Sequence, residues 1–442
     1  MFAFAGVVAG LIISSSRAAE CTVERSDNGT DDSAFILKAF ADCAQDSVIT
    51  FTEANYSAYT PMSFMGLRNV TINLNGNLNL PNNISQVQQA ISTTDNPPST
   101  YATPWFYFSG SDVQLIGSKS DEWGRFNGFG QQWWDTGNRT LRPQLATFNV
   151  TNGLLRGLKV IKPVAWGWNL PGQNIRVENH FVDAKPDNGT RDDTTSFPFN
   201  TDGINVSGQN ITIDGYYGHN GDDCKNGAVQ AVQNVVFRNW TMEGAVYGAR
   251  VGPSDYLEDD IFKSWTGGRG YATNVTWEDI TLEGVSTGIL ITQNYYDQDK
   301  GARPENTNQT STQISNFTYK NFTGTLAKNW STADGTCISD PCWNYVEGGD
   351  ATQVIIFDLF SGTALNLSFS GINVTPNDTS KKTTVICDPA TLAEGEQETL
   401  GFNCTDGPLV TTTVEPAEDS TMHMGASMAG ILLVGITLLL GV

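Results

Sequence analysis

Three aspartates in two short motifs, Asn200-Thr201-Asp202-Gly203 and Gly221-Asp222-Asp223-Cys224, are the residues here whose types and spacing could do chemistry. Carboxylates gathered at one place cannot all ionise independently, because like charges at close range raise one another's pKa. Cleavage of a glycosidic bond needs that arrangement: one carboxyl held protonated as an acid, others charged to activate water. The plainer explanation of Asp202 and Asp223 is turn chemistry, since Asp-Gly and Asn-rich bends favour such residues.

The surrounding chain limits what else it can be. It has 442 residues, only 16% of them charged, and a formal net charge of −22. That charge excludes nucleic acid binding through a basic patch. It would also repel a polyanionic substrate at neutral pH, so local cations and an acidic working environment are both expected. A repetitive β fold reaches this length as one unit, and one domain over residues 20–408 is expected.

Both termini look like processing segments. Residues 1–19 open with an apolar run from Met1 to Ile13 and end in Ala18-Ala19, as a signal peptide does, although no basic residue precedes the run. A membrane anchor is the rival, for which the run is short. About nineteen Asn-x-Ser/Thr sequons follow, Asn69, Asn205, Asn274 and Asn373 among them, in keeping with a secreted glycoprotein. At the other end a Thr/Glu/Ser-rich linker (409–427) leads into an apolar tail (428–442) with nothing basic after it. Small residues, a polar stretch and a terminal apolar tail together resemble a glycolipid (GPI) anchor signal, with Ser420 as one attachment site. A true membrane helix is the alternative there.

What must position the aspartates is a recurring strand. Asn69-Val70-Thr71-Ile72-Asn73, Asn174 to Asn179, Asn210 to Asp214, Asn234 to Asn239, Asn274 to Asp279 and Ile314 to Tyr319 each alternate apolar and polar residues next to an Asn-rich bend. Such strands, irregularly spaced and with no amphipathic helix evident between them, predict an all-β, right-handed parallel β-helix in which bend asparagines ladder from coil to coil. A β-sandwich also alternates and is the competing fold; a doubly wound α/β sheet is not expected. Equivalent positions of neighbouring coils would lie about 4.8 Å apart. Asp202 and Asp222, twenty positions apart, would then face one cleft from adjacent coils, with Asp223 joining them if the chain bends there.

These residues resemble the polygalacturonases of glycoside hydrolase family 28, the fungal ones especially, over roughly residues 60 to 390. Besides the aspartate motifs, Gly124-Arg125-Phe126-Asn127-Gly128-Phe129-Gly130-Gln131-Gln132-Trp133-Trp134, the following Arg142-Pro143, Phe262 to Gly268 and Ile291 to Tyr296 stand in the family's order. The resemblance implies hydrolysis of α-1,4-galacturonosyl bonds in pectin with inversion and without metal or other cofactor. Asp222 would protonate the leaving oxygen, while Asp202 and Asp223 serve the water. Asn200, Arg250, Lys263 and Tyr247 become candidate substrate contacts, Arg250 and Lys263 for a uronate carboxylate; core packing is the competing role for Tyr247. A monomer is expected.

The sequence departs from the family pattern at two places. The Gly-His-Gly coil is missing: the only histidines are His180, His219 and His423, none in that context, and His219 reads as a bend residue. Gly248-Ala249-Arg250 looks like the start of the Arg-x-Lys strand and Phe262-Lys263 like its continuation, with an acidic insertion, 251–261, between them. A mis-processed transcript would produce both departures, and activity below that of a complete homologue is expected.

Seven cysteines are present, and spacing suggests pairs Cys21–Cys43, Cys337–Cys342 and Cys387–Cys404 in an oxidising compartment. Cys224 is left over; in the family its counterpart commonly pairs beside the Gly-His-Gly coil. Two other functions compete with pectin hydrolysis: a surface-anchored carbohydrate binder with a weak site, and a calcium-dependent lyase, against which the aspartate motifs argue. Rhamnogalacturonan hydrolysis remains open within the first class.

Overall fold

Asparagine sets the bends. Asn69, Asn174, Asn210, Asn234, Asn274, Asn316 and Asn366 all adopt left-handed backbone with φ between 53° and 58°, a conformation that Asn tolerates better than other non-glycine residues. Their side chains bond from coil to coil. The Nδ2 of Asn174 donates to Oδ1 of Asn152, Asn210 to Asn174, Asn234 to Asn210, and Asn274 to Asn234, at 2.9–3.0 Å. The ladder expected from the sequence therefore runs along one corner of a wound chain.

The computed structural model describes residues 18–26, 29–94, 103–187, 196, 198–221, 225–226, 231–245, 247–251, 271–292, 313–329 and 346–412. These form a right-handed parallel β-helix. Each expected strand falls inside an observed one: Met62–Leu74, Gln173–Asp183, Gln209–His219, Ala231–Glu243, Tyr271–Val285 and Gln313–Leu326. The long strands pair parallel in sequence order, as in Gln209–His219 with Ala231–Glu243 and that strand with Tyr271–Val285. Inward positions stack on one another: Ile175 on Ile211, Val235 and Val275, and Val177 on Ile213, Phe237 and Trp277. Full burial contributes about 1.5–3 kcal/mol for each such side chain. Tyr216 stacks on Trp240 at 4.2 Å and Trp277 on Tyr319 at 4.7 Å.

Two helices were not legible in the alternation. Ser33–Asp42 buries Ile36, Ala39 and Phe40 and closes the first coil, with Phe40 stacked 3.8 Å from Phe64. Ile84–Ser92, capped by Asn83, lies between early coils and buries Val87 and Ile91. Disulfides Cys21–Cys43 and Cys387–Cys404 fasten the two ends; Cys224, Cys337 and Cys342 lie outside the described residues.

A second face is built from short strands: Trp168–Leu170, Ile204–Val206 and Lys225–Asn226 pair in that order. It resumes with Tyr247–Val251, Thr287–Thr292, Gln353–Asp358 and Thr384–Ile386. Lys225–Asn226 lies against Tyr247–Val251, but among the described residues no ladder joins them, and they belong to separate sheets. The long-strand face has no such interruption between the corresponding coils.

Candidate active site

Asp202 lies at the entrance to the strand Ile204–Val206 on the short-strand face and is 2% exposed. Its main chain is tied to the preceding coil, where Gly167 N donates to the Asp202 carbonyl at 2.8 Å and Trp168 N to that of Gly203 at 3.1 Å. Gly167 has to be glycine, because a Cβ there would collide with the Gly203 carbonyl. Asp202 thus sits on a rigid element whose neighbours fix its backbone.

The tie to the following coil runs through Thr201, which is fully buried. Its hydroxyl donates to the Pro198 carbonyl at 2.6 Å and accepts from Gly221 N at 2.9 Å. A Cβ on Gly221 would collide with Pro198, so the second motif abuts the chain just before the first. Beyond this point the coils are counted differently. Thr201 faces Gly221, twenty residues on, whereas Ile204 pairs with Lys225, twenty-one on. Asp222 and Asp223 themselves lie outside the described residues.

Arg142 holds the motif from the other side. Its guanidinium is 1% exposed, donates to Asn200 Oδ1 at 2.8 Å and to the Phe199 carbonyl at 3.4 Å, and lies over the rings of Trp166 and Phe199. Arg139 covers the Phe199 ring as well. Asn200, a candidate substrate contact from the sequence, has a left-handed backbone (φ 56°) and lends its Oδ1 to this internal bond. In the sequence Arg142 stands only as one member of an ordered motif set. A burial so complete is invisible in a sequence, and the adjoining Pro143 gives no hint of it.

The structure places the backbone of two further candidates. Tyr247 pairs with Thr287 and Arg250 with Leu290, on the strand beside Lys225–Asn226. Arg250 is therefore on the short-strand face, downstream of Asp202; Lys263 lies outside the described residues. Lys225 stands in register with Ile204, and Ile204 with Trp168, so a lysine occupies a row whose two preceding members are buried and apolar. Downstream of Arg250, Leu290 and Ile356 form a buried cluster with Phe199, and Val346 and Ile386 pack against it.

Neither described histidine stands beside Asp202 on the short-strand face. His180 is 2% exposed, edge-on to Trp168 and stacked on Tyr216, and burial lowers its pKa to about 3. It is a neutral core residue. His219 ends the strand Gln209–His219, with Nδ1 3.6 Å from Glu243 Oε1. Burial lowers its pKa, and Glu243 opposes the shift. Tyr217 donates to Glu243 at 2.5 Å, which holds that carboxyl below its usual range.

Comparison with known proteins completes the description. The family model for glycosyl hydrolases family 28 matches residues 66–244 and 225–347, so residues 225–244 belong to both matches. The chain is 33% identical over 428 residues, 89% of its length and 92% of the relative's, to a protein named probable exopolygalacturonase C from Aspergillus niger. A similarly named protein from Aspergillus terreus is also 33% identical, with 90% and 94% covered. Among solved structures, endo-xylogalacturonan hydrolase from Aspergillus tubingensis superposes with a TM-score of 0.60 at 18% identity, covering 88% of this chain and 100% of that one. Endopolygalacturonase I from Stereum purpureum gives 0.52 at 18%, covering 84% and 98%. At these identities the structural likeness concerns the fold.

Proposed function

Starting from the fact that this chain belongs to glycosyl hydrolase family 28 and is a polygalacturonase-like glycosidase, we propose that it hydrolyses α-1,4-galacturonosyl bonds of pectin from a chain end. The observation that carries the reading is the direct bond between the two aspartate motifs, Gly221 N to Thr201 Oγ1. It supports placing Asp222 and Asp223 in the coil next to Asp202. Asp222 protonates the leaving oxygen, while Asp202 and Asp223 hold and activate the water. A water that must fit between acid and base, roughly 6.5–9.5 Å apart, attacks the far face and inverts the anomeric carbon.

Arg250, and Lys263 beyond it, supply cations for the uronate carboxylate in a protein whose net charge opposes a polyanion. Asn200 and Tyr247 border the same cleft. Attack from a chain end is supported by the names of the Aspergillus relatives. The protein is secreted and glycosylated, with residues 1–19 removed and the tail 428–442 replaced by a glycolipid anchor.

Two observations favour a weaker enzyme, close to a surface-held carbohydrate binder. Among the described residues no ladder joins Lys225–Asn226 to Tyr247–Val251, and residues 225–244 match the family pattern twice. Both fit a chain lacking one coil beside its active site. The test is release of reducing ends from polygalacturonate, with Asp222→Asn as control and product lengths resolved. Galacturonate as the first and main product supports the proposal. A ladder of oligomers overturns end-attack, and binding without turnover selects the binder.

A further inference from the structure

We propose that the stretch of short-strand face N-terminal of Asp202 takes uncharged sugar units, in pectin methyl-esterified galacturonate, so that a free uronate is gripped only on the other side, by Arg250. The inference rests on the reading of Asp202, Asp222 and Asp223 as catalytic and names the class of substrate that this site prefers.

The floor follows from the strand register. Asn205, three residues after Asp202, stands in register with Asn169, Asn169 with Thr147, Thr147 with Tyr107 and Tyr107 with Ser63. Each has buried apolar neighbours on both sides, such as Trp168 and Leu170 around Asn169 or Ile204 and Val206 around Asn205. Alternation therefore turns all five to the outer face. At one strand spacing per coil the row runs about 19 Å. It continues the face on which Asp202 lies, and none of its members is charged.

That neutrality is peculiar to this face. On the long-strand face the same coils and the next ones carry Arg156, Glu178, Asp214, Arg238, Glu278 and Lys320 in one register row, charged at every step. Charged side chains flanking the neutral row are paired elsewhere: Arg68 with Gln45 and Asp46, Asp112 with Asn152, and Lys162 with Asp187. The Arg142 guanidinium is sealed between Trp166 and Phe199.

A carboxylate laid on this floor would lose water without gaining a cation, in a protein of net charge −22. A methyl ester removes that penalty and keeps the ring hydroxyls. Amide and hydroxyl side chains both donate and accept, as those hydroxyls do. Tyr107 illustrates the fit: its phenol oxygen accepts from Asn149 Nδ2 at 3.1 Å, which leaves the phenol hydrogen to donate.

The experiment compares the full-length parent with Asn169→Lys and Asn169→Asp, which put a charge of either sign in the middle of the row. It measures kcat/KM, and binding by calorimetry, on polygalacturonate and on the same polymer about half methyl-esterified, at low and raised salt. Circular dichroism checks folding. The parent should favour the esterified polymer. Asn169→Lys should move the ratio about tenfold towards polygalacturonate and Asn169→Asp about as far the other way, both shifts shrinking in salt. A parent that favours polygalacturonate, or a ratio that neither variant moves, overturns the proposal. Should the lysine variant not fold, the nearly isosteric aspartate variant decides alone. Asp202→Asn keeps the two readings apart: hydrolysis that persists in it overturns the catalytic assignment, while the binding ratio still tests the floor. That ratio also decides if the parent turns over neither polymer.

Discussion

The long-strand face and the short-strand face are made by the same coils, yet they are held together differently. Along the former, successive coils at Asn174, Asn210 and Asn234 repeat one device: an asparagine in left-handed backbone that donates to the asparagine below and accepts from the one above. Pairing there runs unbroken from Gln173–Asp183 through Tyr271–Val285. On the latter, no device is used twice. Arg142 holds Asn200, Gly167 holds Asp202, Thr201 holds Gly221, and among the described residues no ladder joins Lys225–Asn226 to Tyr247–Val251. A repeated lock shares its load among equivalent bonds, so losing one costs little. A unique lock has no substitute, and such locks gather where side chains must be placed rather than merely stacked. The continuous face also carries the solenoid past the place where, among the described residues, no ladder joins Lys225–Asn226 to Tyr247–Val251.

Substitutions can break this contrast. The largest effect is expected for Asp202→Asn. Loss of the carboxylate proposed to handle the water should lower turnover by about 10²–10⁴-fold, while stability changes little, because the bond that anchors residue 202 to Gly167 uses the main chain. Reducing-end assays and thermal melts on the same samples would show whether activity and stability separate.

Arg142→Met tests a unique lock directly. It strips Asn200 Oδ1 and the Phe199 carbonyl of their buried donor, and at about 1–3 kcal/mol per orphaned acceptor the loss should be near 3 kcal/mol. Urea titration measures it. A cost no greater than that of a ladder asparagine would erase the distinction drawn between the faces.

His180 sharpens the comparison through pH. Burial holds its folded pKa near 3, below the ordinary 6.5, so the unfolded chain binds a proton that the native chain refuses. Its contribution is present above the unfolded value and is lost as pH falls from about 6.5 towards 3. Between pH 7 and pH 4 this residue should remove about 3 kcal/mol. His180→Phe keeps a ring between Trp168 and Tyr216 and should flatten that part of the pH–stability curve. Equal slopes in parent and variant would contradict the assignment of a neutral core imidazole.

The smallest effect is reserved for the ladder. Asn234→Gly keeps the left-handed backbone while deleting the bonds to Asn210 and Asn274, and should cost about 1 kcal/mol. Asn234→Ala adds the strain of a left-handed non-glycine residue, about 1–2 kcal/mol more. If glycine proved as costly as alanine, the bonds rather than the bend would be the ladder's main contribution.

The sequence by itself determined the strands, the asparagine bends, the parallel winding and two disulfides, because each follows from local alternation or short spacing: Val235 and Phe237 must turn inward once Asn234 bends the chain. It also singled out Asp202 as a candidate site residue. It did not disclose the helices Ser33–Asp42 and Ile84–Ser92, whose few apolar residues gain meaning only against Phe64 and the early coils. Nor did it disclose Arg142 or Thr201. Their partners lie fifty-eight and twenty residues away, and no pattern in the chain says that a guanidinium will be sealed between Trp166 and Phe199 or that a hydroxyl will bridge two coils. Such contacts depend on which coil stacks on which and by how many residues the count slips, and the tertiary structure alone decided that.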